Sequence, residues 1–223
     1  MMQRIFDIVF SMMALLVLSP LMIPLVIILR LSGEGEIFYK QNRVGKGGVS
    51  FGLLKFATML KNSPNLGTGN MTVKNDPRIL PLGNFLRKTK INELPQLLNI
   101  FLGDMSIIGP RPLTQDHFDG YIPCVQQAII SVQPGLSGIG SIVFRAEEEM
   151  LHQHDDAKQF YKEYISPYKG TLEAWYVNNN GLWTYFTLII LTIWVVFFSK
   201  SIAVWNIFPS LPKPPAVLEK YFL

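Results

Sequence analysis

Between Phe6 and Leu29 the chain is almost uninterruptedly apolar, with Asp7 its only charge. At 1.5 Å per residue a helix over this run reaches across a hydrocarbon core of about 30 Å. Ser19-Pro20 and Pro24 fall in its middle and latter half, where proline removes backbone hydrogen bonds and kinks a helix. Arg4 and Arg30 flank its two ends, so the positive-inside bias selects no side. Two arrangements fit: a straight span, or a kinked hairpin that enters and leaves by one face. In the second, Ser19 or neighbouring protein has to satisfy the carbonyls that the prolines free. The run is too long for a cleaved signal peptide, and no small-residue cleavage site follows it.

The rest of the composition agrees with a membrane protein, with 49% hydrophobic and 16% charged residues among 223. A net charge of +4 and a pI near 9.1 suit an anionic membrane surface or phosphate-bearing substrates. They would also suit nucleic acid, but no nucleic-acid motif accompanies the charge. A lone Cys124 cannot form an internal disulfide, which agrees with a reducing cytoplasmic side.

Residues 87 to 112 carry the densest chemistry. Leu94, Leu97, Leu98 and Phe101 recur at helical spacing, predicting an amphipathic helix of about three turns with Asn92 as N-cap, Pro95 in the first turn and Gly103 as αL cap. Arg87, Lys88 and Lys90 precede it, and Arg111 returns on a turn stiffened by Gly109, Pro110 and Pro112. A helix N-terminus ringed by cations is an anion site, and phosphate is the obvious anion. Taken singly, Asn92 and Glu93 read equally as a cap and a first-turn acid, and the basic residues as a solvated face.

Ile37–Tyr39 and Val49–Phe56 are β-prone and separated by the turn-rich residues 41–48, which predicts a hairpin. Gly45-Lys46-Gly47-Gly48 lacks the spacing of a phosphate loop and reads as a turn. Residues 62–75 read as a surface loop closed by Asp76-Pro77-Arg78, with Asp76 a turn residue or a group beside the phosphates. Residues 113–133 read as helix broken at Pro123, residues 134–140 as a glycine-rich loop, and Glu147–Glu149 as an acidic helix start. His152 and His154 stand two apart, which does not suit a metal site on a helix. Leu182–Phe198 is a second apolar run, short for a span and rich in aromatics, so an interfacial helix competes with a membrane-crossing one. The proline-rich tail after it reads as extended.

The run Arg87–Asn99 with Gly103–Pro112 resembles the bacterial sugar transferases that initiate surface glycan assembly, the monotopic polyprenyl-phosphate phosphoglycosyl transferases. Ser19-Pro20, Gln41-Asn42-Arg43, Lys55-Phe56 with Thr58-Met59, Asp76-Pro77-Arg78, and Pro134-Gly135 with Gly138 fall where that family's pattern puts them. The resemblance implies a mainly α fold with a small β-hairpin. It implies a re-entrant membrane helix over 1–31 broken at Ser19-Pro20, a catalytic domain on the cytoplasmic face over 32–180, and an interfacial or embedded helix with a tail over 181–223. The location implied is the bacterial inner membrane. The reaction implied is transfer of a sugar 1-phosphate from a UDP-sugar to polyprenyl phosphate with release of UMP, as the first membrane step of surface polysaccharide or glycoconjugate synthesis. The partners implied are those two substrates and the bilayer, without nucleic acid; a homo-oligomer is left open.

Within that frame Glu93 is the expected Mg²⁺ ligand, with Asp76 a second candidate, and Arg87, Arg111, Lys55, Arg78 and Arg145 are expected on substrate and phosphates. Fixed guanidinium forks suit phosphate oxygens better than lysine does. Three departures stand out. The family's Asp-Glu pair is Asn92-Glu93 here, Ala57 replaces a second lysine, and Ile139-Gly140 stand where many members carry Trp-Ala. A neutral carboxamide is a poor nucleophile. In one reading Glu93 is the nucleophile, with the metal on another group such as Asp76 or Asp104; in another, polyprenyl phosphate attacks directly with Glu93 on the metal and Asn92 capping the helix. A third reading is a chain that binds nucleotide sugar or lipid phosphate without turnover, as a membrane-bound assembly partner.

Overall fold

The computed structural model describes residues 2–66, 76–154, 156–197 and 203–222. The chain is mainly helical, with two small two-stranded sheets. Its contacts group residues into two units that interleave in sequence, one formed by Phe6–Asn42 and Gly52–Gly103, the other by Met1–Ile5, Arg43–Phe51 and Asp104–Leu223.

In the first unit, α1 (Met2–Leu31) runs as one helix through Pro20 and Pro24. Proline 20 cannot donate to the carbonyl four residues back, that of Leu16, and the Ser19 hydroxyl donates to that oxygen instead at 2.7 Å. Among the described residues α1 is the one helix long and apolar enough to cross a membrane, and Val9, Met12, Leu16, Ile23 and Ile27 are exposed on it. Towards its end Met22, Leu25, Val26 and Leu29 follow helical spacing and share a core with Phe56, Leu82, Leu86, Ile91 and Leu94.

The strands β1 (Phe38–Val44) and β2 (Ser50–Phe56) pair as the expected hairpin, closed by a 3₁₀ turn in which Gly47 and Gly48 have positive φ. β1 takes in Gln41–Val44, which composition assigns to the turn; the residues alternate between exposed and covered as a strand requires. Then come α2 (Gly83–Lys88) and α3 (Gln96–Leu102), the latter ending on Gly103 at φ 104°. Of the expected loop, residues 67–75 lie outside the described ones; 63–65 form a 3₁₀ turn.

The second unit is built on β3 (Ser106–Ile108), which pairs in parallel with a later strand. The crossover passes through α4 (Gln115–Asp119) and α5 (Pro123–Ile130), with Pro123 at the helix start, where its missing N–H costs nothing. β4 (Gly135–Ser137) then lies alongside, Ser106 opposite Gly135 and Ile108 opposite Ser137. The stretch expected as a glycine-rich loop is therefore this strand plus the start of α6 (Ile139–Val143). After α7 (Glu147–Leu151), residues 157–178 are helical as α8 (Ala157–Phe160), a π turn over Tyr161–Ile165, and α9 (Ser166–Asn178). The π turn stands just before Pro167, which cannot continue the ordinary hydrogen-bond ladder.

Helix α10 (Leu182–Phe197) buries Tyr185, Leu188, Leu191 and Val195 and exposes Trp183, Ile190, Ile193 and Trp194, so it has two apolar faces and only one is packed on protein. Its Thr192 hydroxyl meets that of Ser137 at 2.8 Å. The tail is folded rather than freely extended: around α11 (Ala203–Ile207) and α12 (Ala216–Glu219), Leu211, Leu218 and Phe222 are buried. Tyr168 donates to the Pro212 carbonyl at 2.8 Å.

Candidate functional site

The first unit brings Asn92, Glu93, Lys55 and Arg87 to its polar region. Helix α2 stops at Lys88, and Lys90 takes φ 61°, the one positive φ on a non-glycine among the described residues. Such strain persists only where its surroundings impose it and concentrates at functional sites. It turns the chain into a 3₁₀ turn over Ile91–Glu93, where the Glu93 N–H donates to the Lys90 carbonyl at 3.0 Å. Asn92 then points inward with 8% exposure, while Glu93 is half-buried.

Asn92 is not the helix cap that its position suggests. α3 begins at Gln96 after Pro95, without a side-chain cap, and has two turns rather than three. The Asn92 Oδ1 is buried and accepts no hydrogen bond from the described residues. Buried polar atoms left in this way are rare and call for a reason.

Glu93 faces Lys55 across 3.9 Å, and each side chain is 19% exposed. The strand that carries Lys55 is bound by Asn99 of α3, which is 2% exposed. Its Nδ2 donates to the Gly52 carbonyl and its Oδ1 accepts from the Leu54 N–H, both at 2.9 Å, imitating a neighbouring strand along β2. Lys55 is the residue after Leu54 within the strand so held. Arg87, half-buried at the end of α2, reaches the Met59 sulfur at 3.4 Å.

Asp76 and Arg78 form a buried pair of their own. Arg78 Nε lies 2.8 Å from Asp76 Oδ1 and Nη2 2.6 Å from Oδ2, and Nη1 reaches the carbonyls of Ser63 and Leu66, each at 2.7 Å. Both Asp76 oxygens are thereby occupied, and the geometry is that of a latch on the 63–66 turn.

The donor set suits magnesium. Glu93 offers a carboxylate and the adjacent Asn92 an uncommitted carbonyl oxygen, both hard ligands. Mg²⁺ commonly takes one or two protein oxygens and fills its octahedron with water and phosphate. No group of three His, Cys, Asp or Glu side chains fit for a metal occurs among the described residues, so these donors do not form an all-protein cage.

The second unit carries Arg111 and Arg145. Arg111 follows β3 on the turn Gly109-Pro110-Arg111-Pro112, and its side chain is exposed. That turn lies backbone to backbone against β4: a Cβ on Gly138 would stand 2.1 Å from the Gly109 carbonyl oxygen, so only glycine fits. Arg145 is exposed just beyond α6. Beneath Arg111 sits a charged group that sequence inspection passes over. Lys169 and Glu147 pair at 2.5 Å, Lys169 stands over the rings of Phe144 and Tyr161, and Glu173 is 5% exposed. Burial pushes the Glu173 carboxyl up to about 8, against the opposing pull of Lys169 and of backbone N–H groups from Arg111 and Gly140. Burial also pushes the Lys169 ammonium down, opposed by Glu147, and raises Tyr161 to about 12. No spacing in a single sequence separates Glu173 from the solvated glutamates around it; in sequence Asn99 is, with Gln96, simply one of two polar residues in a mainly apolar helix.

A family model described as bacterial sugar transferase matches residues 1–199. The chain belongs to the bacterial sugar transferase family. Among the relatives of this chain is the undecaprenyl-phosphate galactose phosphotransferase of Salmonella typhimurium, 33% identical over 87% of this chain and 40% of the relative. The UDP-glucose:undecaprenyl-phosphate glucose-1-phosphate transferase of Escherichia coli is 34% identical over 73% of this chain and 36% of its own length. The exopolysaccharide production protein ExoY of Sinorhizobium fredii is 36% identical over 63% of this chain and 68% of its own. The chain thus spans about 40% of the length of the Salmonella relative and 36% of that of the Escherichia relative.

Proposed function

We propose that this sugar transferase moves a sugar 1-phosphate from a UDP-sugar to polyprenyl phosphate and releases UMP, opening the assembly of a surface glycan. What supports this most is the turn at Asn92-Glu93, where a carboxylate opposite Lys55 adjoins a buried carboxamide oxygen with no protein partner. Relatives named for undecaprenyl phosphate acceptors and for galactose or glucose 1-phosphate donors agree with it. The exposed apolar surface of α1 and that of α10 support a reaction at a bilayer, and in this proposal α1 is a re-entrant, monotopic element, α10 lies in the interface and the site is on the cytoplasmic face.

Glu93 and Asn92 would hold Mg²⁺, which when bound would neutralise charge on the phosphates as the linkage breaks. Lys55, 3.9 Å from the Glu93 carboxylate, orients it. Arg87 and Arg111 are assigned to phosphate oxygens as bidentate donors, Arg145 to the nucleotide sugar. Asn92 has no oxygen nucleophile to offer, so the acceptor attacks directly. An oxygen of polyprenyl phosphate bonds to the sugar-bearing phosphorus, the bond to the bridging oxygen breaks, and that electron pair leaves on UMP. The product is a polyprenyl diphosphate sugar.

The test is UMP release by the purified chain given Mg²⁺, undecaprenyl phosphate and a panel of UDP-sugars, beside Asn92→Asp and Glu93→Gln. Lipid-dependent release by the parent, lost by about 10²-fold or more in Glu93→Gln, is expected. Release before lipid is added would instead indicate attack by Glu93. An inert parent beside an active Asn92→Asp would overturn the proposal in favour of a binding and assembly role.

A further inference from the structure

We propose that Arg43, near the end of β1, is a positioning residue: its guanidinium holds the Pro112 carbonyl and so fixes the turn from which Arg111 reaches a pyrophosphate-bearing substrate. The inference deepens the reading of Arg111 as a phosphate ligand given above and rests on it.

The Arg111 turn is stiff within itself. The rings of Pro110 and Pro112 lock φ, and Arg111, preceding a proline, is confined to extended backbone. Such a segment moves as a body, and its fastenings decide where its side chain points. Neither proline has an N–H, so carbonyl oxygens are the main handles. On the β4 side the fastening is main chain alone. The Gly109 N–H donates to the Ser137 carbonyl at 2.9 Å, and the Gly135 N–H to that of Pro110 at 2.8 Å. A Cβ on Gly135 would stand 2.1 Å from the Gly109 nitrogen, so no side chain fits between them.

On its other side the turn runs against the end of β1. The Val44 N–H donates to the Leu113 carbonyl at 2.9 Å, and Arg43 Nη1 donates to the Pro112 carbonyl at 3.1 Å. Of these bonds only the one from Arg43 comes from a side chain, and it alone falls between Pro110 and Leu113, in the stretch that carries Arg111. The base from which Arg43 acts is firm. Arg43 lies on the covered side of β1, Val44 beside it is buried, and the Gly45 N–H donates to the Val49 carbonyl at 3.0 Å to close the hairpin, whose turn packs on α5. A charged donor makes a stronger bond to a carbonyl than a neutral one, and a planar guanidinium loses less freedom in making it than a lysine ammonium. Arg43 of the Gln41-Asn42-Arg43 run, which the proposed chemistry leaves unused, thereby gains a task.

Calorimetric binding of UDP to the full chain in detergent with Mg²⁺ tests this. Arg43→Met keeps the apolar stem, loses the donors, and is expected to bind about tenfold more weakly, the scale of a misdirected charge-assisted contact. In an Arg111→Ala background Arg43→Met should weaken binding no further, whereas damage to the fold, or a direct contact of Arg43 with the substrate, would add to the loss. In turnover, KM for the donor should rise with kcat little changed. Equal UDP affinity in the parent and Arg43→Met, full additivity with Arg111→Ala, or a fall in kcat alone overturns the positioning role. A parent that does not bind UDP, or Arg111→Ala binding as tightly as the parent, overturns instead the phosphate reading beneath it. Should Arg43→Met not fold, Arg43→Gln, whose side chain is too short to reach the Pro112 carbonyl, takes its place in the same cycle.

Discussion

Replacing Asn99 by leucine probes how the Lys55–Glu93 pair is held. The substitution nearly preserves volume but removes both contacts to β2, leaving the Leu54 N–H and Gly52 carbonyl unsatisfied beside α3. Each such group costs about 1–3 kcal/mol, and the added apolar burial returns part of it, so a net loss of about 2–4 kcal/mol is expected. Chemical unfolding in detergent reads the loss of stability, and UMP release reads the displacement of Lys55. Asn99→Asp sharpens the test. Its carboxylate still accepts from Leu54 but meets the Gly52 carbonyl with no donor while ionised, which raises its folded pKa above the unfolded value near 3.9. Its deficit against the parent should therefore be small near pH 4 and grow as pH rises through the folded value. If Asn99→Leu unfolds at the same denaturant concentration as the parent, the strand-like role given to Asn99 is wrong.

Asp76→Asn leaves Arg78 buried without its carboxylate and should cost about 3–5 kcal/mol in thermal or chemical unfolding. Glu173 has a folded value of about 8 against 4.5, so the folded parent holds a proton that the unfolded chain has lost; its stability should fall relative to Glu173→Gln as pH climbs from about 4.5 to 8 and run parallel above. Unfolding at pH 5, 6.5 and 8 checks this sign. Ser19→Ala removes the donor that replaces the missing Pro20 N–H and should lower stability by about 0.5–1.5 kcal/mol, read by unfolding in lipid nanodiscs. Chelation of Mg²⁺ should stop UMP release in the parent, and Glu93→Gln should require more metal to show any residual rate.

Elements governed by short-range rules were legible. The apolar run set α1, glycine at 103 set the end of α3, Pro123 set the start of α5, and β-prone runs around a glycine turn set the hairpin. Three-residue strands such as β3 and β4 carry no periodic signal; they exist because glycines 109, 135 and 138 permit backbones to touch across an intervening pair of helices. Asn92 and Glu93 were found as a pair, but the αL twist at Lys90 that turns Asn92 inward is not a property of lysine and comes from its surroundings. The Asp76–Arg78 latch likewise depends on burial that residue types alone do not disclose.

The end of α1 shares its core with Ile91 and Leu94, the residues on either side of Asn92-Glu93. The end of α1 is thus continuous with the apolar packing beneath the Asn92-Glu93 turn. Sliding that helix by a single residue moves Leu29 by about 1.5 Å and would oblige the turn to follow or the core to open. With α1 in lipid as proposed, bilayer thickness would become a control on the proposed reaction. In a membrane too thin or too thick for α1, the enzyme should lose rate before it loses its fold, and the choice of lipid in an assay should weigh as heavily as the choice of sugar.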